Sequence, residues 1–121
     1  MEQRQRPTAL VVESDETQRS LLGVLLEESD MHVISCESGE AALAVLDTDP
    51  FNLSFVVTDI ELAGAMDGVE LAHTVHDRFP DLRVVVTSVT PRVRQLPDGT
   101  THMTKPWVPL DLLREAQYAL A

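Results

Sequence analysis

The chain has few means of forming a disulfide, binding polyphosphate or crossing a bilayer. Cys36 is its one cysteine, so no internal disulfide can form. It lies in an apolar run, where a buried and inert thiol is expected. Basic residues are scarce: nine Lys and Arg against 20 Asp and Glu give a formal net charge of −11. A nucleic-acid surface needs cations to neutralise phosphates, and anionic membranes attract cations too, so neither partner is expected. No apolar run reaches the roughly 20 residues of a spanning helix. Residues 1–7 lack the apolar segment of a signal peptide. These absences together point to a cytoplasmic protein. At 121 residues the chain is long enough for one core and leaves no room for a second. Residues 1–7 are expected as a flexible N-terminus, and residues 8–121 as one folded domain.

What is present alternates. Thr8-Ala9-Leu10-Val11-Val12 is a short continuous apolar strand, after which Ser14 or Asp15 can cap a helix carrying Leu21, Leu22, Leu25 and Leu26. Met31 to Cys36 is a second strand, and Ser38 caps a helix with Ala42, Leu43 and Leu46 that ends at Asp49-Pro50. Phe55-Val56-Val57-Thr58-Asp59 is a third strand ending in a carboxylate. Asp67 caps a helix facing inward through Val69, Ala72, Val75 and Phe79. Leu82 to Thr87 is a fourth strand. Pro91, Pro97 and Asp98-Gly99 argue against a long helix over 88–99. Thr100 to Thr104 is a weak fifth strand, and Pro109 opens a last helix carrying Leu110, Leu113, Ala116 and Leu120. This order predicts an α/β fold: a doubly wound parallel sheet with helices on both faces, its strands continuous apolar runs because both faces are buried.

In such a sheet, ligands bind at the C-terminal strand edge. The topology brings Glu13, Ser14 and Asp15, then Asp59, then Thr87, then Lys105 to that edge. Lys105 is the single lysine among the basic residues. Carboxylates clustered alone repel one another. A lysine and a hard divalent ion such as Mg²⁺ relieve that conflict. An Asp can act as a nucleophile and form an aspartyl-phosphate, with the cations neutralising phosphoryl charge. Each residue alone has an ordinary reading as a cap, a strand-end hydroxyl or a surface ion; the convergence favours the functional one. His73 and His76 share a helical face but have no third ligand in view, so a solvated face is expected. Trp107 is read as packing.

With these residues placed, the sequence resembles the receiver domain of two-component response regulators, from about Thr8 to Ala121. The resemblance rests on Leu10-Val11-Val12-Glu13, Thr58-Asp59-Ile60, Met66-Asp67-Gly68-Val69-Glu70-Leu71, Val86-Thr87-Ser88 and Lys105-Pro106-Trp107, in that order and spacing. It implies a five-stranded sheet of order 2-1-3-4-5, the flavodoxin-like arrangement. It implies that Asp59 takes a phosphoryl group from a sensor histidine kinase or a phosphotransfer protein. Lys105 would contact the phosphoryl oxygens and Thr87 would hydrogen-bond one of them. Mg²⁺ would be held by Glu13, by Asp59 and by the backbone carbonyl of Glu61.

Some positions depart from the family. Ser14 stands at the usual acidic ligand position and supplies no anion, so weakened Mg²⁺ binding is expected unless Asp15 or the Glu61 side chain substitutes. A register shift of one residue would bring Asp15 into the acidic pair. Leu62-Ala63 replaces a frequent Met-Pro, which should loosen the loop. His102 occupies the switch position where an aromatic is usual. The segment from Thr87 to Lys105 is short, so the helix between the fourth and fifth strands is expected short or missing. Many receivers dimerise or signal through that face; a homodimer stays open here, with altered output. The leading expectation is a stand-alone phosphoacceptor switch of a phosphorelay, acting on an unknown downstream protein and catalysing only its own phosphorylation and dephosphorylation. The alternative is a pseudo-receiver, an interaction module without efficient phosphorylation. A hydrolase using Asp59 ranks last, since no dedicated base is in view.

Overall fold

The central strands that carry Glu13, Asp59 and Thr87 at or next to their ends are the best-buried part of the molecule. The computed structural model describes residues 6–91 and 93–120. Its elements, in order, are β1 (Thr8–Val12), α1 (Glu16–Glu28), β2 (His32–Cys36), α2 (Gly39–Asp47), β3 (Leu53–Asp59), α3 (Gly68–Arg78), β4 (Arg83–Ser88), β5 (Thr100–Thr104) and α4 (Pro109–Leu120). All five strands are parallel and lie in the order β2-β1-β3-β4-β5, the flavodoxin-like arrangement expected. Of the N-terminal residues 1–7, only Arg6 and Pro7 fall within the described residues; the Pro7 carbonyl accepts from the His32 amide at 2.8 Å.

Successive side chains on a strand point to opposite faces, and here both faces are buried. Ala9, Val11, Phe55, Val57 and Val85 pack against Leu22 and Leu26 of α1 and Leu112 and Ala116 of α4. Leu10, Val12, Val56, Val84 and Val86 pack against Ala42 and Leu46 of α2 and Leu71, Ala72 and Val75 of α3. One strand set thus supplies two cores, and the apolar runs are continuous rather than alternating for that reason. The edge strands β2 and β5 are only partly buried.

The helix starts follow their caps. Asp15 caps α1 by accepting from the Gln18 amide (2.8 Å). Ser38 caps α2 by accepting from the Ala41 amide (3.1 Å). Asp67 and Glu70 form a reciprocal capping box on α3, satisfying two amides that the helix leaves unpaired. Between β4 and β5 no helix occurs among the described residues. Leu96 packs on the core instead, and Arg94 pairs with Asp67, while His73 Nε2 donates to the Gln95 carbonyl at 2.9 Å.

The last helix presents a different face from the one its leucines suggest. Leu112 and Ala116 are buried, whereas Leu110 and Leu120 are 60% and 44% exposed. The inward stripe runs through Leu112, Ala116 and Ala119, four and three residues apart, which is one helical face. Leu112→Ala should therefore destabilise the protein by about 2–4 kcal/mol, and Leu110→Ala by less than about 0.5 kcal/mol, measured by urea unfolding. Equal effects would contradict the observed face.

Candidate functional site

Three strand ends deliver the central cluster. Asp59 is the last residue of β3 and sits opposite Thr87 in the β3–β4 ladder. Glu13 follows β1 directly, with its backbone amide still bonded to the Cys36 carbonyl (3.0 Å). Lys105 follows β5, with its amide bonded to the Ser88 carbonyl (2.7 Å). The Lys105 ammonium lies 3.2 Å from Glu13 Oε1 and 3.2 Å from Asp59 Oδ2. Glu13, Asp59 and Thr87 are all buried. Gly68 allows α3 to start against this strand end, because a Cβ there would lie 2.0 Å from the Asp59 carbonyl oxygen.

Burial pushes the Asp59 carboxyl above its ordinary value; the Lys105 charge opposes this and the Glu61 charge adds to it. Burial pulls the Lys105 ammonium down, but the charges of Asp59 and Glu13 outweigh that, so its pKa is raised. The two partners respond unequally for a physical reason. Lys105 has two carboxylates stabilising its charge, whereas for Asp59 burial, aided by the Glu61 charge, outweighs the one cation beside it. Asp59 Oδ1 is buried and has no partner within normal hydrogen-bond geometry among the described residues, although the nearby Glu61 backbone amide partly stabilises the carboxylate. An orphaned carboxylate oxygen is costly and is free to accept a cation or to attack an electrophile.

The loop after β1 resolves the register. Glu13, not Asp15, joins Lys105 and Asp59, and Glu13 Oε2 accepts from the Asp15 amide at 3.0 Å. The Asp15 carboxylate is used as the α1 cap. Ser14 donates its hydroxyl to the Glu37 carbonyl (3.0 Å) and accepts from the Ala63 amide (2.9 Å). Glu61 is exposed. Among the described residues no group of three or more His, Cys, Asp or Glu side chains could hold a metal ion. Asp59 and Glu13 supply two carboxylates, and the Glu61 carbonyl is a third oxygen close in sequence. Mg²⁺ is often held by one or two carboxylates with waters completing its shell, so this set fits the ion as a weakened seat.

Three residues near the cluster carry contacts that motif reading missed. Arg19 Nη1 donates to the Glu13 and Ser14 carbonyls at 2.9 and 3.3 Å, bracing that loop. Ser88 donates its hydroxyl to the Thr90 carbonyl (2.6 Å), and its Oγ lies 2.9 Å from His102 Nε2. His102 is thus held by a polar contact at the switch position. Glu40, in the first turn of α2, accepts from the Ala65 amide at 2.9 Å. Gly64, at φ 94°, lies over that carboxylate, and a Cβ there would approach Glu40 Oε2 to 2.7 Å. With the isolated bridge between Ser38 and Ala63, these contacts clasp the loop after β3 to the start of α2. The loop containing Leu62-Ala63 is thus bonded through the Ala63 and Ala65 amides. The signal that could have found Glu40 is an acid in a helix's first turn beyond its capping need, and that signal is faint.

A family model described as response regulator receiver domain matches residues 9–114. The chain is 31% identical over 116 residues to response regulator receiver protein CpdR of Brucella abortus, covering 92% of this chain and 94% of that one. It is also 31% identical over 115 residues to two-component response regulator ORR5 of Oryza sativa subsp. japonica, covering 89% and 84%. Among solved structures, a response regulator receiver protein from Sinorhizobium medicae matches with a TM-score of 0.86 at 21% identity, over 95% and 94% of the two chains. The receiver domain of the hybrid histidine kinase CckA matches with a TM-score of 0.79 at 22% identity, over 94% and 99%. At these identities the structural likeness shows the fold.

The Glu40 clasp has a pH signature. The Ala65 amide holds the Glu40 carboxyl below its ordinary value. A carboxyl depressed in the folded state adds stability above its unfolded pKa and loses that contribution as pH falls through the folded value. The Ala65 amide proton shift should show an inflection below the ordinary glutamate range, absent in Glu40→Gln. An inflection at the ordinary value would contradict the clasp.

Proposed function

Because the chain belongs to the response regulator receiver domain family of two-component systems, we propose that it is a phosphoacceptor switch in which Asp59 accepts the phosphoryl group. The donor is a phosphohistidine on a sensor histidine kinase or a phosphotransfer protein. The domain is a signalling domain and not a conventional enzyme. The observation that carries the reading is the buried, partnerless Asp59 Oδ1 beside a Lys105 ammonium already in contact with the other oxygen.

The chemistry asks little of the protein beyond position and charge. An Asp59 carboxylate oxygen attacks phosphorus, the P–N bond breaks with its electron pair going to the ring nitrogen, and the donor imidazole, already protonated on its other nitrogen, leaves as the neutral ring. Lys105 sits where charge on the phosphoryl oxygens develops. Thr87, in register with Asp59, offers its hydroxyl to the phosphoryl group. Mg²⁺, when bound by Asp59, Glu13 and the Glu61 carbonyl, would supply further neutralisation of phosphoryl charge. The net charge of −11 opposes nucleic-acid and anionic-membrane partners, and no described helix is long and apolar enough to cross a membrane. The downstream partner is a protein.

A pseudo-receiver is the second reading. It is favoured by the Ser14 hydroxyl being engaged by two loops and by His102 being bound to Ser88. Incubation with Mg²⁺ and a small phosphodonor such as acetyl phosphate separates the two. Intact-mass measurement should show one added phosphoryl group, lost in Asp59→Asn. Lys105→Met should slow its appearance by about 100-fold. Folded wild-type protein that gains no phosphoryl mass even at high Mg²⁺ would establish the pseudo-receiver.

A further inference from the structure

The geometry points to Ser14 as a positioning residue of the phosphoryl site: its hydroxyl joins three loops around Asp59, so that protein hydrogen bonds and not a bound cation set the loop geometry. This rests on the phosphoacceptor reading for its consequence, but the clasp itself is a statement about the resting protein.

Ser14 lies in the loop between β1 and α1. Its Oγ donates to the Glu37 carbonyl in the loop between β2 and α2, and it accepts from the Ala63 amide in the loop between β3 and α3. A hydroxyl does both at once because it carries one donor hydrogen and two lone pairs. An ionised aspartate at this position accepts only. It would keep the Ala63 amide but set a carboxylate against the Glu37 carbonyl, with no proton to share. A serine here is therefore not simply an acid lost; it makes a contact that the acid cannot.

The partner position is equally specific. Ala63 must have an N–H to reach Ser14, and a proline there would have none. Ala63 also bridges to Ser38, and the next amide donated, that of Ala65, goes to Glu40. At one end of the loop the Ile60 amide bonds to the Thr87 carbonyl (2.9 Å), and at the other the Gly68 amide bonds to the Ile60 carbonyl (2.9 Å). The segment carrying the Glu61 carbonyl is thus tied at both ends and in the middle. Lys105 meanwhile bridges Glu13 and Asp59, supplying positive charge from the chain itself. The loops around Asp59 are thus tied by hydrogen bonds and an ion-pair bridge that the chain itself supplies.

The test is amide hydrogen exchange at Ala63, read by NMR with Mg²⁺ and with chelator, in the wild type, Ser14→Ala and Ser14→Thr. The expected wild-type rate at Ala63 is the same in both solutions. Ser14→Ala should raise it about fivefold, as for one lost hydrogen bond, with the Leu10 amide in central β1 unchanged. Ser14→Thr, which keeps the hydroxyl, should restore it. The phosphorylation rate from acetyl phosphate should fall in Ser14→Ala and recover in Ser14→Thr. Ser14→Asp should tighten Mg²⁺ binding, followed by the Glu61 amide shift, and make Ala63 exchange Mg²⁺-dependent. Wild-type Ala63 exchange that slows on adding Mg²⁺, or unchanged exchange in Ser14→Ala, would overturn the inference. Absence of phosphoryl mass in the wild type would remove the phosphoacceptor reading, while Ala63 exchange decides on Ser14 in either case.

Discussion

One ammonium group lies between two buried carboxylates, and the site depends on that contact. Glu13 and Asp59 leave adjacent strands of the sheet centre, β1 and β3, and both are nearly removed from water. Two such charges side by side repel one another, and taking a charge out of water carries a cost unless a partner offsets it. Lys105 meets both at 3.2 Å, although it enters from the far edge of the sheet. It can do so only because β5 pairs with β4 in a register that places Thr104 beside Ser88, which aims the next residue back across the strand ends. A slip of one residue in that register would turn the side chains of β5 to the opposite face and break the contact. The balance is deliberately incomplete in charge terms: with all three ionised, one negative charge remains, and one Asp59 oxygen stays without a partner. That remainder is what makes the cluster receptive rather than merely stable.

The loops around this cluster divide into two kinds. The loop after β3 is tied by Ser14, Ser38 and Glu40, with Gly64 taking the one positive-φ conformation that the clasp requires. The connection from β4 to β5 has no helix among the described residues, and its contacts include Leu96 on the core, Gln95 to His73 and Arg94 to Asp67. Ser88 sits at the junction, bonded to both Thr90 and His102. A displacement of the β4 end would have to rearrange that hydrogen-bonded pair, a polar contact with defined geometry, where an aromatic side chain would slide on apolar surface.

Much of the fold was legible because its determinants are local. The three central strands are apolar on both faces, so each appears as an unbroken run. Asp15, Ser38 and Asp67 stand directly before their helices, and Pro109 stands at the first helical position. Pro91, Pro97 and Asp98-Gly99 forecast the missing helix. The last helix misled because leucine identity was taken as burial: Leu110 looks like core but is exposed, and packing against α1, β3 and β4 places Leu112 inside together with the expected Ala116. The candidate site was legible in composition and not in contact. Glu13, Asp59, Thr87 and Lys105 follow from strand ends. Which of Glu13 and Asp15 joins Lys105 depended on where β1 stops and which side chain caps α1, a one-residue matter beyond periodicity.

Ser14 shows why the remainder was hidden. Its hydroxyl partners lie 23 and 49 positions away in the chain, and no local pattern encodes a contact at that separation. Read by type alone, Ser14 is a missing anion and Ala63 a more permissive loop residue, and each change weakens the site. Read together they are complementary, since a hydroxyl with both donor and acceptor capacity needs an N–H opposite it, and alanine has one where proline has none. Two changes that separately remove a metal ligand and a backbone restraint jointly create a different restraint. The consequence is a shift in what assembles the site. Where a cation is the organiser, loop order and ion occupancy rise and fall together. Here the loop after β3 is tied by hydrogen bonds to Ser14 and Glu40 that come from the chain itself.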